Sequence, residues 1–161
     1  MKKILYLDMD GVIADFDGAI KSYLPELETS DLLPNYEERS LLVDALCLEI
    51  PSIFLHLKPI ENSIELVKEL FDLYDVYFLS TPMWSVPESY MYKRLWLHNQ
   101  FGDMANKRLI LSHRKDLNLG DFLVDDRLKN GVSGFLGEHI HFGQGKFATW
   151  EYTFEYLKSK A

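Results

Sequence analysis

An apolar run, Ile4 to Leu7, stops abruptly at Asp8-Met9-Asp10-Gly11, and no other feature of the 161 residues constrains the fold as much. The run is short and uniformly apolar, which suits a strand covered on both faces, and such strands belong to parallel sheets. Asp8 and Asp10 lie two positions apart, so on an extended chain their side chains point to the same face. Two like charges held that close repel, and something must neutralise them.

Four further short apolar runs follow, at 76–79, 108–112, 122–124 and 139–142. Between them lie helical patterns. Asn62 is placed as an N-cap ahead of Ile64, Val67, Leu70, Phe71 and Tyr74 on one face, a second helix runs from about Pro87 to Asn99, and a third from Thr149 to Lys158. Strand alternating with helix predicts an α/β fold, a doubly wound, mostly parallel Rossmann-like sheet.

The stretch from Asp10 to Val76 is much longer than a crossover with its helix requires. The excess, residues 17–58, reads as an insertion with a helix over "EERSLLVDALCLEI" between Pro34 and Pro51. Residues 1–16 and 59–161 are then the core domain and 17–58 a small helical cap, with a break between cap helices at 23–27. Asp15 and Asp17 read as helix N-caps. A cap placed after the first strand overlies the carboxyl edge of the sheet, where ligands bind in this architecture.

A net charge of −8 excludes an electrostatic grip on long nucleic acid or on an anionic membrane, so a phosphate-bearing partner must be a small molecule held locally. Cys47 is the single cysteine, which rules out an intramolecular disulfide and reads as a small buried hydrophobe in a helix. The apolar run after the opening lysines is too short for a secretory signal and no segment approaches a membrane span, so a cytoplasmic location is expected.

The polar residues just after each strand form a pattern. The first strand leads to Asp8 and Asp10, the second to Ser80 and Thr81, the third to His113, Arg114 and Lys115, and the fourth to Asp125 and Asp126. All converge on one edge of the sheet. Carboxylates from two strand ends are hard oxygen ligands that suit Mg²⁺. A carboxylate can also attack phosphorus, while a hydroxyl and a lysine stabilise the transferring phosphoryl group and a second acid exchanges protons with the leaving oxygen. An EF-hand calcium loop is excluded, because counting from Asp8 puts Ala19 where a bidentate Glu is needed.

"DMDGV" after an apolar strand, "STP" after the second, and a lysine ten positions before a "DD" after the fourth resemble the haloacid dehalogenase superfamily of phosphotransferases. "DMDGVIADF", "FLHLKPIENS" and "YKRLWLHNQFG" are similar more specifically to the 5′(3′)-deoxyribonucleotidases. This resemblance implies a HAD-like fold and a Mg²⁺-dependent phosphomonoesterase acting through an aspartyl phosphate on nucleoside monophosphates. It implies Asp8 as nucleophile and metal ligand, and Asp10 as general acid/base with its main-chain carbonyl on the metal. It also implies Ser80 or Thr81 at the phosphate, Lys115 as the phosphate-stabilising cation, and Asp126 as a further metal ligand beside an orienting Asp125. Lys93 matches a lysine of the family's "K..W" helix, and Phe16 and Phe54 match aromatics of the nucleoside pocket. The family's aromatic cap cluster has no counterpart between Leu32 and Ile50, and His113 stands where the family has arginine.

Other readings exist for several of these residues. Phe16 and Phe54 serve equally as cap core, Lys93 as a solvated helix lysine, and His139 and His141 as satisfied strand residues, while Trp96 and Trp150 read as packing. A phosphatase of sugar phosphates or a phosphomutase uses the same acids. A phospho-accepting receiver module carries its acid pair on the first strand and its phosphoacceptor on the third, the reverse of the order found here.

Overall fold

The computed structural model describes residues 2–25 and 36–161. Strands β1 (Ile4–Leu7), β2 (Asp75–Ser80), β3 (Leu109–Leu111), β4 (Phe122–Asp125) and β5 (Glu138–His141) form one sheet in the order β3-β2-β1-β4-β5. Every pairing is parallel. All five strands fall on the predicted runs. β1 lies at the centre, with Leu5 beside Val76 on one flank and Phe122 on the other, which explains why its residues are apolar on both faces.

The two faces are covered unequally. Leu5, Leu7, Val76, Phe78 and Val124 join the large core beneath α3 (Ser63–Leu73), α4 (Glu88–Phe101) and α5 (Trp150–Lys160). Tyr6, Leu79 and Leu123 point the other way, into a small cluster closed by Val132 and Phe135. Right-handed crossovers account for the difference. The steps from β1 to β2 and on to β3 carry α3 and α4 on one face. The steps from β3 to β4 and on to β5 run in the opposite sense across the other face, where the helical turns are the 3₁₀ segments Lys115–Leu117 and Val132–Gly134.

The insertion between β1 and α3 carries α1 (Phe16–Tyr23), α2 (Tyr36–Glu49) and a 3₁₀ turn over Pro51–Leu55. Its ends meet at a narrow neck, where Asp15 N–H donates to the Lys58 carbonyl at 2.8 Å and Ile60 N–H to the Ile13 carbonyl at 2.9 Å. Asp15 caps α1 through Gly18 N–H at 2.9 Å. Asp17 instead sits in the first turn and pairs with Lys21 at 2.8 Å and with Arg39 of α2 at 2.6 Å. α1 ends at Tyr23, and part of the break expected at 23–27 lies outside the described residues.

Asn62 does precede α3, but in a left-handed conformation (φ 59°) without capping through its side chain, which donates to Glu151 of α5. Trp96 and Trp150 are buried and also tether: Trp96 Nε1 donates to the Leu57 carbonyl at 2.8 Å, and Trp150 Nε1 to the Val12 carbonyl at 2.6 Å. The second bond fixes the turn that follows the Asp8/Asp10 pair.

Cys47 is buried in α2, and burial, with smaller contributions from the charges of Asp10 and Asp44, pushes its thiol up to about 12 from an ordinary 9.0. The thiolate is the reactive form. Thiol reagents at neutral pH should therefore modify the folded protein on the order of a thousandfold more slowly than the unfolded chain. Equal labelling rates with and without denaturant would show that this helix does not seal the thiol.

Candidate active site

The strand order reverses between β1 and β4, and a crevice opens at their carboxyl ends. Asp8 leaves the end of β1, held by its N–H to the Val124 carbonyl at 2.9 Å. Gly11 then turns the chain at φ +78°, and a Cβ there would lie 2.4 Å from Asp126 Oδ2. The glycine is needed on both counts, for the left-handed backbone and for the approach of the loop after β1 to the acid after β4.

One cavity of about 180 Å³ is lined by Asp8, Asp10, Phe16, Phe54, Thr81, Met83, Lys115, Asp125, Arg127, Lys129 and Asn130. Lys115 reaches it from the turn after β3 and is 2 % exposed. Its ammonium hydrogen-bonds Asp125 Oδ2 and lies 3.1 Å from Asp8 Oδ1, a Coulombic contact that leaves this oxygen without a well-aligned donor. Burial alone would lower the lysine pKa, but the charges of Asp8 and Asp125 outweigh it and raise it. The cation is therefore held charged.

The acids divide by what their oxygens touch. Asp125 spends both inward, Oδ2 on Lys115 and Oδ1 on Arg127 N–H at 2.9 Å. Asp8 Oδ1, Asp10 Oδ1 and Asp126 Oδ1 are buried without hydrogen-bond partners. Asp8, Asp125 and Asp126 each offer a carboxylate oxygen, all within 4.8 Å of one another. Orphaned buried oxygens in this number are costly unless a cation joins them, so the donor set fits a hard divalent metal. With Asp125 engaged on Lys115, the carboxylates that face such an ion freely are those of Asp8 and Asp126.

Asp10 is held from behind. Lys93 of α4, 1 % exposed, donates to Asp10 Oδ2 at 2.6 Å and to Ser80 Oγ at 3.1 Å. Neither Lys93 nor Ser80 belongs to the cavity lining, contrary to the expectation that both contact phosphate or substrate. They form a support that fixes one carboxylate oxygen of Asp10. Thr81 does line the cavity, with its hydroxyl donating to the Ser112 carbonyl at 2.8 Å. Phe16 and Phe54 stack on each other with centroids 5.5 Å apart, and both border the cavity, so the pair is packed as core and also forms part of the cavity wall.

The histidines of β5 brace the acid pair. His139 Nε2 lies 3.0 Å from the Asp125 carbonyl and His141 Nε2 3.0 Å from that of Asp126. A carbonyl only accepts, so each Nε2 carries the proton. Met83, Arg127, Lys129 and Asn130 were not foreseen as lining. The signal available for the last three was their position in the polar loop directly after the "DD" pair.

Burial and the charge of Asp8 push Asp126 up to about 6 against the opposing charge of Arg127, and the same two causes raise Asp125 against Lys115. An acid with a raised folded pKa binds its proton more tightly when folded. The resulting penalty is absent below about pH 4, where both states are protonated, and grows as pH rises towards 6. In buffer stripped of divalent ions, the Tm advantage of Asp126→Asn over the parent should widen between pH 4 and pH 7. A constant difference across that range would rule out a strained carboxylate at this position.

A family model described as "5' nucleotidase, deoxy (Pyrimidine), cytosolic type C protein" matches residues 2–151. A protein of Vibrio phage KVP40, provisionally named a 5'(3')-deoxyribonucleotidase, is 43% identical over 159 residues, covering 99% of this chain and 86% of its own. The human cytosolic-type 5'(3')-deoxyribonucleotidase is 30% identical over 138 residues, covering 75% of this chain and 69% of its own. Among solved structures, a Bacillus subtilis protein described as a HAD hydrolase and crystallised with magnesium superposes with a TM-score of 0.61 at 12% identity, over 98% of this chain and 99% of its own. That likeness carries the HAD-like fold.

Proposed function

The chain belongs to the cytosolic type C family of 5′ nucleotidases, and from this membership and the geometry of the crevice we propose that it is a Mg²⁺-dependent 5′(3′)-deoxyribonucleotidase. The observation that carries the reading is the pair of orphaned carboxylate oxygens on Asp8 and Asp10 in a cavity that Lys115 and Thr81 also line, with Asp126 offering a further carboxylate within 4.8 Å of that of Asp8. Asp8 Oδ attacks phosphorus in line with the leaving nucleoside oxygen, forming the aspartyl phosphate as the P–O bond to the nucleoside breaks. Asp10, its Oδ2 fixed by Lys93, delivers a proton through its free Oδ1 to the departing oxygen. Water then attacks the phosphorus, giving a proton back to Asp10 and releasing inorganic phosphate and Asp8.

Lys115 holds the phosphoryl oxygens' growing charge, and Asp125 keeps Lys115 in place. Mg²⁺, held by Asp8, Asp126 and the Asp10 carbonyl, would supply charge neutralisation at the phosphoryl oxygens. The inserted segment 17–58 serves as the cap. Phe16 and Ile20 of α1 and Arg39 and Val43 of α2 border the mouth of the site.

The test is phosphate release from a panel of nucleoside monophosphates and sugar phosphates, with Mg²⁺ and with chelator. Metal-dependent release fastest on deoxynucleotides supports the whole reading. Release confined to sugar phosphates would retain the acid chemistry and discard the nucleotide, and transfer of phosphate to a second sugar position would make the chain a mutase.

A further inference from the structure

The reaction cavity opens into a wider one of about 760 Å³, the two sharing Phe16, Thr81 and Met83 among their walls. One wall of the outer cavity is α2, which presents Arg39, Ser40, Val43 and Asp44. None of these is a ring. The facing wall belongs to the core and carries Trp84, from the loop between β2 and α4, and His113, just after β3.

Trp84 is 81% exposed, whereas Trp96 and Trp150 are each 1% exposed. Its ring meets that of His113 edge to face, with centroids 5.7 Å apart and planes at 76°. Such a contact braces the indole and leaves an indole face uncovered. A bare indole face at the mouth of a phosphate-cleaving site is a stacking surface for a planar ring, and base-on-aromatic stacking tolerates any base because each has a π-face.

We propose that Trp84, braced by His113, is the platform on which the heteroaromatic base of the substrate stacks, so that this stacking surface lies on the core side of the mouth. The inference rests on the nucleotidase reading above. It makes Trp84 a specificity residue for the leaving group, acting at a distance from the reacting phosphorus.

The experiment compares wild type, Trp84→Ala and Trp84→Phe on a deoxynucleoside monophosphate and on deoxyribose 5-phosphate, which lacks the base and keeps the ester. The ratio of the two kcat/KM values should fall at least about fivefold in Trp84→Ala, chiefly through KM on the nucleotide, and Trp84→Phe should recover most of it. A ratio unmoved in Trp84→Ala, or an equal loss on both substrates, overturns the platform while leaving the nucleotidase reading intact. If wild type releases no phosphate from the nucleotide, the nucleotidase reading fails, and quenching of tryptophan emission by the same nucleotide decides the platform. Quenching that Trp84→Ala removes supports it, and its absence in wild type overturns it.

Discussion

Replacing Asp8 by Asn is expected to remove phosphate release, by a factor on the order of 10⁴ to 10⁶, without loosening the fold. The carboxamide keeps the shape of the side chain and loses the nucleophilic oxygen. Its effect on stability runs the other way. Asp8 is buried beside Asp125 and Asp126, and after burial its charge does most to raise the pKa of each. Removing it relieves that repulsion, while Lys115 retains Asp125 as its partner. In metal-free buffer the melting temperature of Asp8→Asn should therefore equal or exceed that of the parent. A variant that releases phosphate at the parental rate would sink the mechanism, and one that melts well below the parent would show that Asp8 is held by contacts other than those described.

Lys115→Met has the opposite signature, a large loss of both stability and turnover. The side chain is 2 % exposed, and its ammonium is the cation shared by Asp125 and Asp8. Methionine fills much of the volume but leaves the carboxylates of Asp8, Asp125 and Asp126 clustered within 4.8 Å without their buried counter-charge. Breaking a buried pair from one side costs about 3–5 kcal/mol. For a chain of this size that lowers Tm by on the order of 10 °C. Divalent cation should restore part of the loss, since it screens the same acids. A change of Tm within about 2 °C, measured in chelator, would mean that Lys115 does not neutralise the cluster.

These two substitutions separate the site's parts by sign. One removes a charge that the proposed chemistry requires and the fold does not favour. The other removes a charge that the proposed chemistry and the fold both require.

The strands were legible because each is a short apolar run closed by polar residues, and burial on both sides of a central sheet imposes that pattern wherever the strand lies. α2 was legible from its two bounding prolines rather than from an apolar stripe. The thin second face of the sheet was not, because nothing local tells a chain that a crossover will be made by 3₁₀ turns. Asn62 takes the N-cap position that the sequence predicts, yet its side chain does not cap the helix, for a related reason. Its position before α3 was correct, but its amide is taken by Glu151, which is 89 positions away along the chain.

Within the site, Asp8, Asp10, Thr81, Lys115 and Asp125 could be read from the strand ends, since the carboxyl edge of a parallel sheet gathers whatever follows each strand. The sequence pattern could not tell Ser80 from Thr81, which differ by one position and so by which side of the chain end they occupy: Thr81 lines the cavity and Ser80 lies behind it, under Lys93. Nor could it tell Asp125 from Asp126. Lys93 on an amphipathic helix looks like a solvated lysine until α4 is packed with Asp10 and Ser80 at its inner face.

The chain alone thus carries the α/β alternation, the placement of the acids at one sheet edge and the class of chemistry they permit, because each of these depends on residue type and on spacing of a few positions. Packing assigns the rest. It turns Asp125 inward to Lys115 and leaves Asp126 open, sets Lys93 behind Asp10, and stands Trp84 at the mouth of the cavity beside His113. Those assignments depend on contacts between residues far apart in sequence, and no local pattern encodes which buried oxygen a distant cation will reach.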